Sequence, residues 1–170
     1  MRVNISDQYR CSLDTFWDRV FFDDEYNRRL FLEGLRFKQW EKLEQQDRGD
    51  AVFRRIRGTP QSEMPSAVQK VLGADLSYVE ELTWDKKTRR ARFKNTPARM
   101  ADRIRIDGFI YAEAAGAGAC IRKVDIDLEV KIFGVGGVIE SFAAKTFKEN
   151  FEAAARWTNR WLAEQGLEGK

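Results

Sequence analysis

The sequence predicts an α+β fold: a curved antiparallel sheet of about six to seven strands wrapped around one long C-terminal helix, with two short helices after the first strand. Three observations carry this. Seven segments alternate apolar and polar residues at period two. The residues beyond Val138 repeat at 3.6. The strands over residues 103–112 and 123–132 place charge on one face only, the pattern of an antiparallel sheet with one wet side.

Val3, Ile5 and Tyr9 define a first strand over about residues 2 to 10. Ser12 then caps a helix whose first turn holds Asp14, favoured there by the helix dipole, and which places Phe16 and Val20 four residues apart. Asp23 and Asp24 interrupt it and start a second helix, "EYNRRLFLEG", closed by Gly34. From Leu35 the period becomes two, and residues 35 to 44 and 51 to 57 form a hairpin around "QQDRGD". A short helix, "MPSAVQKVLG", follows with Pro65 near its start and Gly73 at its end.

Four more strands complete the sheet. Leu76, Tyr78, Glu80, Leu82 and Trp84 share a face, and "DKKT" turns the chain into Ala91, Phe93 and Asn95. Ile104, Ile106, Gly108, Ile110 and Ala112 share the next face, and after "AAGAG" so do Val124, Ile126, Leu128, Val130 and Ile132. Arg103, Arg105, Asp107, Lys123, Asp125, Asp127, Glu129 and Lys131 take the opposite side, where unlike charges can pair across strands. The final helix runs from Val138 to about Gln165, near 40 Å at 1.5 Å per residue. Its stripe of Ile139, Ala143, Phe147, Phe151, Ala154, Thr158 and Trp161 needs a broad apolar surface, and the concave sheet face offers one.

Composition limits the chemistry. The 170 residues suit a single domain, 1–170, with 43% hydrophobic and 34% charged residues. Thirty basic and 27 acidic residues are interspersed, so a net charge of +3 gives no basic face for nucleic acid. Arg89, Arg90 and Arg92 form the densest basic patch, read as a solvated hairpin. No N-terminal apolar region or membrane-spanning run is present, so a cytoplasmic protein without stable membrane insertion is expected. Cys11 and Cys120 have no partner at metal-ligand or redox spacing and are expected to be reduced and packed. The absence of histidine removes imidazole ligands and histidine-based triads, leaving carboxylates, Tyr, Lys and Cys for any acid–base work.

The stretch "FGVGGVIE", Phe133 to Glu140, sits at a strand-to-helix junction. It lacks the Lys and spacing of a P-loop, and Ile139 stands where G-x-G-x-x-G needs its last glycine. It is read as the turn that swings the long helix onto the sheet. No nucleotide, metal or other cofactor is expected.

"YRCSLDTFWDRVFFDDEYNRRL" and "FGVGGVIESFAAKTFKENFEAAARWTNRWL", with the order of elements between them, resemble the START-like, or helix-grip, superfamily that includes polyketide cyclases and the birch-pollen-allergen proteins. Within it the chain looks most like small bacterial members of unassigned function. The resemblance implies a cavity between the curved sheet and the long helix, suited to a hydrophobic small molecule or lipid.

The strand parity adds that Arg54, between Val52 and Ile56, and Glu80 point inward, and that Phe93 brings Asn95 with it. Such groups must be paired, hydrated or aimed at a ligand. The candidate ligand-binding residues are therefore Arg54, Tyr78, Glu80, Trp84, Phe93 and Asn95, with Ile106, Ile126, Phe147 and Phe151 as apolar wall. Phe16, Trp17, Phe21 and Phe22 are either core or the border of the entrance. The expected function is binding or carriage of an apolar ligand. The alternatives are a cyclase or dehydratase using Glu80 with Tyr78 or Tyr111, the latter on the opposite parity from its strand's apolar face, and a protein-interaction module.

Overall fold

The computed structural model describes residues Met1 to Lys170. Its strands are β1 (Arg2–Tyr9), β2 (Gln39–Asp47), β3 (Ala51–Thr59), β4 (Tyr78–Asp85), β5 (Arg90–Pro97), β6 (Ile104–Ala114) and β7 (Cys120–Val130). The helices are α1 (Leu13–Thr15), α2 (Asp24–Arg29), α3 (Ser66–Leu72) and α4 (Gly136–Glu164), and α1 and α2 each continue into a π-helical turn, Phe16–Phe21 and Leu30–Gly34.

All seven strands join one antiparallel sheet in the order β1-β7-β6-β5-β4-β3-β2. Strands β2 to β7 form a meander, while β1 pairs with β7 at the far edge. The chain must therefore travel from one edge of the sheet to the other between β1 and β2, and α1 and α2 make that crossing. The caps that start them are the expected ones: Ser12 Oγ accepts from the Thr15 amide at 3.2 Å and Asp23 Oδ1 from the Tyr26 amide at 2.7 Å.

The π-helical turns were not foreseen. Closing the ladder from i to i+5 brings Phe16 over Val20 and Phe21, and Trp17 over Phe21 and Phe22. The ring pairs agree, with Trp17 and Phe21 at 4.9 Å and Phe16 and Phe21 at 6.1 Å. The wider turn thus gathers a crowded aromatic run onto one inward side. The second π-helical turn ends at Gly34, and Arg36 follows with φ of 55°, so β2 begins at Gln39 and not at residue 35. Likewise β4 starts at Tyr78, because Asp75 Oδ1 holds the Ser77 amide at 2.9 Å in a turn.

Two glycines allow the sheet to be gripped. A Cβ on Gly108 would lie 1.9 Å from the Asp125 carbonyl oxygen, so only glycine lets β6 and β7 approach this closely in mid-sheet. A Cβ on Gly136 would lie 2.7 Å from the Val130 carbonyl oxygen, where the turn folds back on the end of β7. Glu140 Oε1 accepts from the Val130 amide at 3.0 Å and ties the first turns of α4 to that strand. The glycine-rich segment is a turn onto the sheet.

Inward residues of β1, β4, β5, β6 and β7 form the core with one side of α4, where Ile139, Ala154, Thr158 and Leu162 are buried. Each large apolar side chain enclosed this way contributes roughly 1.5 to 3 kcal/mol. No helix is long and apolar enough to cross a membrane.

Candidate functional site

Between the concave face and α4 lies a cavity of about 260 Å³. Twenty-four of its 36 lining residues are hydrophobic, so the wall is apolar with a few placed exceptions. The sheet supplies Phe93, Ile106 and Ile126, and α4 supplies Phe147 and Phe151. Solvent reaches the lining at Asp75 and Arg99, both exposed, which marks a mouth beside the segment that joins α3 to β4.

Polar side chains enter this wall because strand parity carries them there. On β3, Arg54 lies between the inward Val52 and Ile56 and is 7% exposed. Its Nη1 donates to the Phe21 carbonyl at 2.9 Å, and its guanidinium lies over the Phe21 and Phe22 rings at 4.9 and 5.6 Å. The π-helical turn thereby fixes the arginine from above. Glu80, on the neighbouring strand, reaches Arg54 Nη2 at 3.6 Å, too long for a hydrogen bond, and its side chain is 15% exposed. Burial pushes the Glu80 carboxyl above its ordinary range, and Arg54 offsets only part of that. Burial likewise lowers Arg54 and, helped by the Glu80 charge, raises the Tyr78 phenol.

Asn95 stands directly across from Glu80 on β5 and is 8% exposed. Its Oδ1 has no hydrogen-bond donor, and neither has Arg54 Nε an acceptor. This corner of the cavity therefore holds unmet hydrogen-bonding capacity, which a folded protein rarely leaves in a dry interior.

A second polar group was missed. Arg122 and Asp7 are cross-strand partners on β7 and β1, joined at 2.5 Å with both side chains 9% exposed. Arg122 Nη2 also donates to the Phe151 carbonyl at 3.2 Å, and the guanidinium lies over the Tyr9 and Phe151 rings at 5.0 and 4.6 Å. The signal was present: Arg122 shares parity with Val124, and Asp7 with Ile5 and Tyr9. Nearby, Tyr26 and Thr158 hydroxyls lie 2.6 Å apart, and Thr158 donates to the Ala154 carbonyl at 2.6 Å. Burial pushes the Tyr26 phenol up to about 12.

Of the residues expected at a site, Arg54, Tyr78, Glu80, Phe93, Asn95, Ile106, Ile126, Phe147 and Phe151 line the cavity. Trp84 does not. It faces the same way, but at the end of β4 covered by the first π-helical turn, where its ring lies 5.3 Å from both Trp17 and Phe22. Phe16 and Phe21 belong to the wall while Trp17 packs behind it, so this aromatic run is core rather than entrance. Tyr111 lies on the outer face under the Arg90 guanidinium at 4.8 Å and has no access to the cavity. Arg89 pairs with Asp14 at 2.7 Å, and Arg90 also covers Phe109, so the basic patch is held in surface contacts.

Cys11 and Cys120, distant in sequence, are brought together, both free and buried. The hydrogen bond between them and their burial hold the Cys11 thiol up, and the same bond lowers Cys120. No three His, Cys, Asp or Glu side chains are grouped to hold a metal ion.

Solved structures share this architecture. A protein of Thermus thermophilus is 17% identical, with a TM-score of 0.68 over 97% of this chain and 99% of its own. The Zhui aromatase/cyclase of Streptomyces sp. R1128 is 13% identical, with a TM-score of 0.66 over 94% of each chain. A START superfamily protein of Mycobacterium smegmatis is 13% identical, with a TM-score of 0.63 over 94% of this chain and 98% of its own. At these identities the likeness establishes the START-like, helix-grip fold. No curated protein matches the sequence. A family model described as a protein of unknown function, DUF2505, matches residues 4–162, and the chain belongs to that family.

Proposed function

We propose that the protein binds a mostly apolar small molecule in the cavity between the sheet and α4. The observation that carries this is the coexistence of an apolar wall with polar side chains whose hydrogen bonds are incomplete. A filled structural core would have paired Glu80, Asn95 and Arg54 with one another. The mouth beside Asp75 and Arg99 lets such a ligand enter whole, or lets the apolar part of a larger one enter while its remainder stays in solvent.

The alternative is an enzyme of the cyclase or dehydratase type. Its support is Glu80, a carboxyl held above its usual range beside the Tyr78 phenol, since a proton-transfer group needs such tuning. Tyr111 has no part in it.

Two measurements test the proposal. Native mass spectrometry of protein purified from its own host should show a mass excess that disappears on denaturation. Calorimetric titration with compact aromatic compounds should show saturable binding to the wild type and none to Ala143→Trp, which fills the cavity from α4. Overpacking of this kind costs about 1 to 3 kcal/mol, so the variant should still fold. Equal binding by both proteins would place the ligand elsewhere, and binding by neither, with no mass excess, would contradict the proposal. Turnover of a bound compound that is lost in Glu80→Gln would favour the enzyme.

A further inference from the structure

We propose that the end of the molecule around the cavity mouth docks reversibly on a lipid surface bearing anionic headgroups, with Phe133 as the side chain that enters it. This surface is separate from the polar corner of the cavity, and its occupancy does not depend on what the cavity holds.

The fold gathers exposed apolar residues at one end. Five large apolar side chains are exposed: Met1, Met100, Phe109, Phe133 and Val138. Phe109 lies in mid-strand on the outer face of β6, under the Arg90 guanidinium. The other four belong to the end where β1 and β6 begin and β7 stops. The Met1 ammonium donates to the Leu128 carbonyl at 2.6 Å, the Lys131 amide to the Arg103 carbonyl at 2.8 Å, and the Arg103 amide to the Met100 carbonyl at 2.8 Å. These contacts make neighbours of the N-terminus, the turn before β6 and the turn before α4. The cavity opens at the same end, since Arg99 adjoins Met100 and the Ala98 amide donates to the Ser77 carbonyl at 2.8 Å. The opposite end, built from the β2–β3, β4–β5 and β6–β7 turns, exposes no large apolar side chain.

Shape and charge point to what covers these residues. Phe133 is 104% exposed, as open as in an unfolded chain, and stands on a turn beside Gly134 at φ of 79°. The four apolar side chains project from three separate segments, so they offer no contiguous core of the kind that a stable protein interface packs. A fluid lipid surface takes projecting side chains one at a time, and an aromatic ring suits its boundary. The nearby Asp102 and Glu129 are already paired with Arg103 and Lys131. Of the other exposed charges there, Lys38, Lys70 and Arg99 outnumber Glu63 and Asp75. Lys38 and Arg99 stand close enough to Asp75 for their charges to act on it. Long cationic side chains can lay their stems along an apolar layer while their heads meet phosphates, and each adds attraction to an anionic surface. No helix of the chain is apolar enough to span a bilayer, so the contact is with the surface alone.

Sedimentation with vesicles tests this, using phosphatidylcholine alone and phosphatidylcholine mixed with phosphatidylglycerol. The wild type should sediment with the mixed vesicles and less with the neutral ones. Phe133→Ser keeps the charge and should weaken binding to the mixed vesicles about 10-fold or more, the worth of burying one phenylalanine. Phe109→Ser, the same change outside that end, should bind as the wild type does. Because Phe133 is fully exposed, Phe133→Ser should unfold at the wild-type temperature. Sedimentation unaffected by Phe133→Ser would overturn the proposal, even where salt abolishes it, because charge alone would then hold the protein. So would absence of binding to either vesicle. Self-association in ultracentrifugation that Phe133→Ser abolishes would assign this surface to a second copy of the chain and overturn the proposal as well. None of these outcomes bears on the cavity, whose binding is read separately by the Ala143→Trp titration.

Discussion

Two arginine–carboxylate pairs occupy the same interior and differ by about an ångström. Asp7 and Arg122 meet at 2.5 Å, with a further bond to a carbonyl, while Arg54 and Glu80 stand 3.6 Å apart. The first pair is closed and serves the fold. Removing one partner strands a buried charge, so Asp7→Ala and Arg122→Ala should each lose about 3 to 5 kcal/mol in urea unfolding. Arg54→Ala should cost less, because Glu80, already shifted towards its neutral form, can take up a proton when its cation is gone. An equal loss in all three variants would show that Arg54 and Glu80 are also a structural pair. The same shift predicts a pH dependence. The folded Glu80 carboxyl is raised above its ordinary value of 4.5, so the folded state holds that proton more firmly than the unfolded chain. Stability from this group is complete below about pH 4.5 and declines as pH rises through the raised value. Glu80→Gln removes the effect and should gain stability relative to wild type as pH increases from that point. A difference that is flat with pH would contradict the assignment. At this scale, parity alone made Arg54, Glu80 and Asn95 readable. Arg122 and Asp7 follow the same rule: Arg122 precedes the apolar run from Val124 to Ile132, and Asp7 stands between Ile5 and Tyr9.

At the scale of elements, the period of the hydrophobic pattern located every strand and the long helix, the Ser12 and Asp23 caps located the first two short helices, and Pro65 and Gly73 located the third. What the pattern did not reveal was helix type. An aromatic run such as Phe16 to Phe22 satisfies α and π spacing equally well, and the choice is made by the sheet residues beneath, Trp84 among them. This matters for the site, because the π-helical turn presents the Phe21 carbonyl that holds Arg54. It also covers Trp84, which parity had assigned to the wall. The sheet has its own hidden requirement at Gly108, visible in sequence only as a glycine within an alternating strand. Gly108→Ala should force β6 away from β7 and destabilise the protein by about 3 kcal/mol, measured by thermal or urea unfolding. A change under about 0.5 kcal/mol, the size of an ordinary surface substitution, would show that the close approach is not needed.

For the molecule as a whole, the crossing from β1 at one edge to β2 at the other lays the short helices over the concave face, and α4 completes the enclosure. The order of elements made this architecture readable, since only one broad apolar surface was available to the long stripe. Cavity volume was not readable, because it depends on how far α4 stands from the sheet, a distance set by side chains from many elements at once. If the protein is a binder, that enclosed space is where the ligand goes. The nine isoleucines sample it evenly. Ile104, Ile106, Ile110, Ile126 and Ile139 line the cavity, whereas Ile5, Ile56, Ile121 and Ile132 do not. A methyl-selective NMR titration with 2-naphthol, with isoleucine δ1 methyls labelled, therefore reads the central claim directly. Saturable shifts concentrated on the five lining methyls are the predicted result. Shifts confined to Ile5, Ile56, Ile121 and Ile132, or no saturable shift at any methyl, would contradict it.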